Sequence, residues 1–415
     1  MQTKVISTEL KVGMYVSSLD RPWIDTPFML QGFLIEGEED IKLLKKYCEF
    51  VQVDWSRSTV QQVGIGVSSG SFVPPPRKME RFDFIPNNIE LSLYADDIPV
   101  EAEVAPAVNA HKRANDFLGN LVHAINSNKN FALEETEAVV QEVVDSMVRN
   151  PDAMMWVARL RNQDELVYGR GLQVSVYLVA LGRHLGLPKE FLGRLCTIGL
   201  LLDIGKIKLP KELLLKAGRL TAAEFEAVKS HVQIGLDILM GTPGMHPDVL
   251  LGIAQHHERE NGSGYPAGMV KEEIHLFGRM AGIVDSFTAL TNPRSYAEAI
   301  PAFDALQCLA NYNPALYQET MLEQFIQAIG VFPVGSMVEL STGEAAVIIS
   351  HSKVRRLKPR VLIISDANKR PSLSPATLDL LYQPSVDGKS EVFIQKGLPT
   401  GAFGLDAREY YLSSS

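Results

Sequence analysis

At 415 residues the chain is too long for one ordinary core and points to two or three domains. Hydrophobic and charged residues make up 46% and 21%, the balance of a folded soluble protein. A net charge of −9 argues against a general nucleic-acid binder, so DNA is not an expected partner, although a local basic pocket could still take a phosphate. Cys48, Cys196 and Cys308 lie too far apart for a disulfide framework or a zinc knuckle, which suits a reducing cytoplasm. The opening MQTKVISTELKVG lacks the apolar stretch of a signal peptide. The longest uncharged apolar run, Gly171 to Gly182, is too short to cross a bilayer. A cytoplasmic protein with no membrane span is therefore expected.

In chain order, GMYV, GFLI and EFVQVDW read as strands, with EEDIKLLKKYC between the last two as a helix. The Gly/Ser stretch GIGVSSGSFVPPPRKMERF runs into three prolines and reads as a linker. Helical stripes follow: Phe117, Leu118, Leu121, Val122 and Ile125 in one segment, and Val139, Val140, Val143, Val144 and Met147 in the next, which Asn150-Pro151 ends. From Asp152 to about Gly330 the pattern is almost wholly helical, and Thr221 with Glu224 three positions on forms a capping box. GSMVELSTGEAAVIIS then reads as a hairpin turning at Thr342-Gly343, and PRVLIIS as a further strand. The expected fold is mainly α. A β-containing or α/β domain spans residues 1–70, a linker 71–105, a helical connector 106–150, a helical domain 151–330 and a β-rich extension 331–415. No internal repeat stands out.

Five of the nine histidines fall between residues 231 and 275. His231, His256 and His257 lie in segments read as helical. Neighbours on a helix point about 100° apart, so His256 and His257 would serve adjacent ions more readily than one. Asp203 in LLLDIGKIKLP and Asp285 in AGIVDSFTAL each close an apolar segment, where a carboxylate is costly without a cation or hydrogen bonds. Each residue taken alone has a plainer reading: His231 as a half-buried surface histidine, Asp203 as a cap or a partner of Lys206, and Glu258 and Arg259 as solvated neighbours of the histidine pair. Together they make a nitrogen and oxygen donor set suited to iron, manganese or zinc.

HHERENGSGYPAG, with LLLDIGKIKLP, LLLKAGRLTAAEFEAVKSHVQIG, GRMAGIVDSFTALTNPRSY and GVFPVGSMVELSTGEAAVII in order, resembles the HD-GYP family, whose members hydrolyse the bacterial messenger cyclic di-GMP. The match spans roughly residues 150–365. The front segment VGMYVSSLDRPWIDTPFMLQGFLI is similar to a domain of unknown function that often precedes HD-GYP. The resemblance implies a helical domain holding two or three ions, commonly iron or manganese. It implies Asp203, His231, His256, His257 and Asp285 as ligands, Asp203 bridging. It gives Lys206 the scissile phosphate, Gly264, Tyr265 and Pro266 the loop beside the substrate, and Arg294 a phosphate or guanine contact. For Tyr265 a packed turn, and for Arg294 a surface ion pair, stay open.

The chain departs from that pattern. Leu202 stands where the family has the histidine of its His-Asp pair, and Val167 and Gly171 stand where a glutamate and a histidine are expected. Thr288 and Asn261 replace two further aspartates. Gly171, with Gly169 close by, predicts a helix that begins late or bends, since glycine inside a helix costs about 1 kcal/mol relative to alanine. With three ligands lost, one ion is expected, and two or none remain open. The expected function is a degenerate HD-GYP protein of cyclic di-GMP signalling. It would bind cyclic di-GMP, a related dinucleotide or a partner protein with little or no hydrolysis. The alternative is an active metal-dependent phosphodiesterase with a reduced site. A third class is a pure interaction protein using the helices at 106–149 to form a homodimer; the plainer expectation is that they pack on their own domain.

Overall fold

The structure, a computed structural model, describes residues 2–20, 33–35, 37–55, 58–60, 81–127, 133–161, 170–293, 298–311, 315–351, 358–381 and 392–407. Residues 71–80 of the expected linker lie outside these, as do Val167, Gly169 and Arg294. The chain divides into two compact units, residues 1–78 and 79–415.

In the first unit, β1 (Gln2–Ile6), β2 (Tyr15–Leu19), β3 (Phe33–Leu34) and β4 (Phe50–Asp54) form an antiparallel sheet ordered β1-β4-β2-β3. Along β4, Val51 and Val53 are buried while Phe50, Gln52 and Asp54 are less so, the two-residue alternation of a half-buried strand. The helix α1 (Glu38–Tyr47) puts Ile41 and Leu44 into the same core as Val5, Leu10, Met14, Val16 and Ile35. Glu38, Glu39 and Asp40 in its first turn and Lys45 and Lys46 in its last match the helix dipole.

The second unit is helical. Its α2 (Val100–Asn126) starts six residues before the expected position, with Pro106 inside it. After α3 (Leu133–Arg149), Asn150 stops the helix as expected. Its side-chain oxygen accepts from the Asp152 N–H at 3.0 Å, and Pro151 opens α4 (Pro151–Arg161), where a missing N–H costs nothing. Apart from the half-buried Val122, the stripes on α2 and α3 are buried within this unit, α2 against α3 and α4, and α3 also against α6 (Lys189–Leu201). The uncharged run Gly171–Gly182 is buried throughout, at the centre of α5 (Arg170–His184). A helix apolar all round belongs in a core; α5 packs on α4, α6, α11 (Leu276–Thr291) and α13 (Glu319–Ile329). Tyr177, Phe287 and Phe325 meet edge to face where α5, α11 and α13 join.

Between α6 and α11 run α7 (Lys211–Leu214), α8 (Ala222–Lys229), α9 (His231–Met240) and α10 (Pro247–Gln255). The capping box forms: Glu224 N–H donates to Thr221 Oγ1 at 3.3 Å, and Thr221 N–H to Glu224 Oε2 at 2.7 Å. After α12 (Ala302–Asn311) and α13, the tail is an antiparallel sheet ordered β8-β7-β6-β5-β9. The expected hairpin is β5 (Met337–Leu340) with β6 (Ala345–Ser350), and PRVLIIS supplies β7 (Arg360–Ser365). Two strands were not anticipated, β8 (Pro371–Asp379) and β9 (Ile394–Leu398). Both sit at sheet edges, and β8 carries Pro371 and Pro375, which a central strand would not tolerate.

Candidate metal centre

Four side chains from three stretches of chain converge. Asp203 follows α6, His231 opens α9, and His256 and His257 close α10. One donor atom from each lies within 4.8 Å of the other three. His231 Nε2 is 3.5 Å from His256 Nε2 and 3.5 Å from Asp203 Oδ1. Ligands gripping one ion at about 2.1 Å stand roughly 3 to 4 Å apart, so this spacing suits one ion.

The backbone sets the tautomers. His231 Nδ1 pairs with the Val228 carbonyl at 2.7 Å and His256 Nδ1 with the Ile253 carbonyl at 2.6 Å. A carbonyl only accepts, so each Nδ1 carries the proton and each Nε2 turns a lone pair inward, the usual way a ligating imidazole is prepared. Asp203 Oδ1 and His257 Nε2 are buried with no hydrogen-bond partner. Two orphaned polar atoms at one place are costly unless something binds them. The donor set, the tautomers and the orphaned atoms all fit a metal ion.

One expectation is corrected here. His256 and His257 do not diverge as helix neighbours, because α10 ends at Gln255 and His256 is its cap. Their ring centroids are 3.9 Å apart, and both serve one group. The other two histidines of the cluster cap helices: His246 Nδ1 accepts from Asp248 N–H, and His275 Nδ1 from Phe277 N–H.

Asp285 stands outside the four. It accepts from Arg170 Nη2 at 2.7 Å, and the same nitrogen donates to Asp203 Oδ2 at 2.9 Å. Lys206 Nζ also reaches Asp203 Oδ2, at 2.7 Å. Leu202 is buried in the core and Thr288 donates its hydroxyl to the Val284 carbonyl. Asn261 accepts from Ser263 N–H at 3.1 Å within its own turn. Gly171, expected to bend or delay its helix, is the second residue of α5, and a Cβ there would lie 3.0 Å from the Gly199 and Leu200 carbonyl oxygens. Its bareness serves the close approach of α5 to α6.

The loop at 264–266 is tied to the histidine pair. Tyr265 N–H donates to the His257 carbonyl at 3.2 Å, and its ring stacks on His257 with centroids 4.5 Å apart. A Cβ on Gly264 would press to 2.5 Å on the backbone of residues 257–259. Glu258 and Arg259 are not solvated neighbours. Glu258 is buried and accepts from Ala267 N–H at 2.7 Å and Met269 N–H at 2.9 Å. Arg259 donates to the His256 and Glu258 carbonyls and lies over the Tyr317 ring. Glu258→Ala strands two N–H groups and is expected to cost about 2–3 kcal/mol in denaturant unfolding; an unchanged midpoint would mean the loop stands without that carboxylate.

Charge in the pocket is sharply divided. Burial pushes His231 down to about 4 against the pull of Asp203, lowers His256, and drives His257 well down, helped by its neighbouring histidines. Burial opposes ionisation of Asp203, but Lys206 and then Arg170 outweigh it and hold the carboxyl well below the usual range. At Asp285 burial is outweighed mainly by Arg170. A buried histidine with a lowered pKa stays neutral while the unfolded chain takes up protons, so stability is lost as pH falls from about 6.5 towards 4. The two acids are lowered as well, and their contribution is lost only below about 4. Metal-free protein should therefore show a denaturant midpoint that falls across pH 6.5 to 4.5, and a flat profile there would contradict the burial of these rings.

Residues 155–320 match the family described as HD domain, and residues 3–136 match a domain of unknown function, DUF3391. The chain thus carries an HD domain behind a DUF3391 domain. With the signature loop seated on the histidine pair, the site agrees with the resemblance to the HD-GYP family. Cyclic di-GMP phosphodiesterase PA4108 of Pseudomonas aeruginosa is 29% identical over 92% of this chain and 89% of its own length. A cyclic di-GMP phosphodiesterase of Thermotoga maritima is 30% identical over 52% of this chain and 58% of its own. The cyclic di-GMP phosphodiesterase response regulator RpfG of Xanthomonas campestris is 41% identical over 35% of this chain and 39% of its own. No helix among the described residues is long and apolar enough to cross a membrane.

Proposed function

We propose that this HD-GYP protein binds cyclic di-GMP at a one-ion site, with little or no hydrolysis, and signals the bound state to a partner protein. The observation that carries the reading is the single donor group: among the described residues Asp203, His231, His256 and His257 alone converge. Hydrolysis by in-line displacement is served by two ions clamping the attacking and leaving oxygens, and Leu202 and Gly171 offer no donor for a second. The ion, iron or manganese by the family resemblance, would supply positive charge to a phosphodiester oxygen. Lys206 would add to that charge from beside Asp203, and Gly264, Tyr265 and Pro266 would border the nucleotide. Arg294 remains a proposed phosphate or guanine contact. The relatives' printed activity supports the choice of ligand, and three free cysteines support a cytoplasmic place of action.

A second reading, a phosphodiesterase working with a reduced site, is favoured by the intact four-donor group. Purified protein loaded with Mn(II) or Fe(II) separates the two. Saturable binding of cyclic di-GMP with no linear dinucleotide formed is the expected result. Turnover that disappears in His256→Ala overturns it.

A further inference from the structure

Two acids in the pocket share one guanidinium. Arg170, the first residue of α5, directs Nη2 to Asp203 Oδ2 at 2.9 Å and to Asp285 Oδ1 at 2.7 Å. Lys206 Nζ stands 2.7 Å from that same Asp203 oxygen. Asp203 therefore offers Oδ2 to two protein cations, while Oδ1, which has no hydrogen bond, faces His231 Nε2 at 3.5 Å. The carboxylate has two differently furnished sides: donors for an ion on one, fixed positive charge on the other.

A carboxylate shared by two ions would have metal on both sides. Here, buried like-charged acids still need a cation between them, and the guanidinium meets that need without metal. Its delivery is tied to the backbone. Gly171 lets α5 close on the Gly199 and Leu200 carbonyls, so no side chain at 171 can reach the site without moving α6, while residue 170, just outside that contact, reaches both acids. Arginine suits the task better than lysine because its planar fork stays charged and can face more than one carboxylate.

We propose that Arg170 is a resident cation standing in place of a second metal ion, so that the site takes one ion, on Asp203, His231, His256 and His257, and is closed to metal on the Asp285 side. The inference rests on the one-ion reading above and names the residue that enforces it.

The test is a count of ions in full-length protein, stripped with chelator and titrated with Mn(II). Bound manganese per chain is read by elemental analysis, and electron paramagnetic resonance separates an isolated ion from a coupled pair. Wild type should hold one isolated ion. Arg170→Ala should accept a second at saturating Mn(II), bound at least about tenfold more weakly, because two freed carboxylates and water form a loose site. Arg170→Lys keeps the charge and should hold one. Two ions or none in wild type, or one in an Arg170→Ala protein with a wild-type circular dichroism spectrum, overturns the proposal. If Arg170→Ala does not fold, Arg170→Gln decides: two ions support the proposal and one overturns it. Cyclic di-GMP turnover is scored separately. Hydrolysis with one ion bound sinks the non-hydrolytic reading and leaves Arg170 in its role; two ions without hydrolysis does the reverse.

Discussion

Gly205→Ala is expected to be the most disruptive single methyl addition in the metal pocket. Gly205 lies two residues after Asp203, in the short 3₁₀ turn Ile204–Lys208, where that turn crosses α9. A Cβ there would fall on the His231 carbonyl oxygen and 2.6 Å from the Gly235 nitrogen. These are backbone atoms, so no rotamer change relieves the clash. Overpacking in a core ordinarily costs about 1–3 kcal/mol; with a helix backbone as the obstacle, a loss of roughly 4 kcal/mol or more is expected, in the range reserved for severe lesions. The clash separates the two segments that carry Asp203 and His231, so metal uptake should fall with stability. Gly119→Ala is the control. Gly119 is exposed within α2 with nothing near its missing Cβ, and the change should stabilise by about 0.5–1 kcal/mol. Denaturant midpoints and Mn(II) titration of the two variants check both signs. A Gly205→Ala protein with wild-type midpoint and wild-type ion uptake would show that the turn and α9 are not pressed together.

That contact also shows what could and could not be read from the residues. The ligand types were legible, because a carboxylate closing an apolar run and histidines clustered in one region are chemically conspicuous. Their convergence was not. It depends on α10 stopping at Gln255, one residue before the pair, and a helix end set by tertiary contacts leaves little mark on local periodicity. Arg170 carries no local signal, because its role lies at the tip of a long side chain, on residues 33 and 115 positions away. Glu258 looked solvated because a charged residue beside another polar one usually is; only the backbone N–H groups nine and eleven positions on reveal its partners. The same physics governed the fold. Helices with apolar stripes were legible, as was the hairpin β5–β6. The mostly exposed edge strand β8 has no buried face to write a pattern, and Pro106 hid the first six residues of α2.

His256→Gln is expected to empty the site of metal while sparing the fold. The substitution keeps polarity and approximate size but removes the Nε2 donor, whose orientation depends on the Nδ1 bond to the Ile253 carbonyl. Losing an outer partner of a ligand typically costs 10- to 100-fold in metal affinity, so losing a ligand outright should cost at least about 100-fold. The consequence reaches stability by mass action. Saturating Mn(II) at about 100 times Kd should stabilise wild type by about 2.7 kcal/mol, and the variant should gain almost nothing at the same concentration. The pH dependence discriminates further. A ligating imidazole must be neutral, and burial already holds His231 at about 4 and the other two below their ordinary value. Protons therefore compete with the ion only weakly between pH 8 and 6, and the wild-type Mn(II) affinity should change less than about threefold over that range. A tenfold loss by pH 6 would place the histidines in water and not in the dry pocket that orphans His257 Nε2.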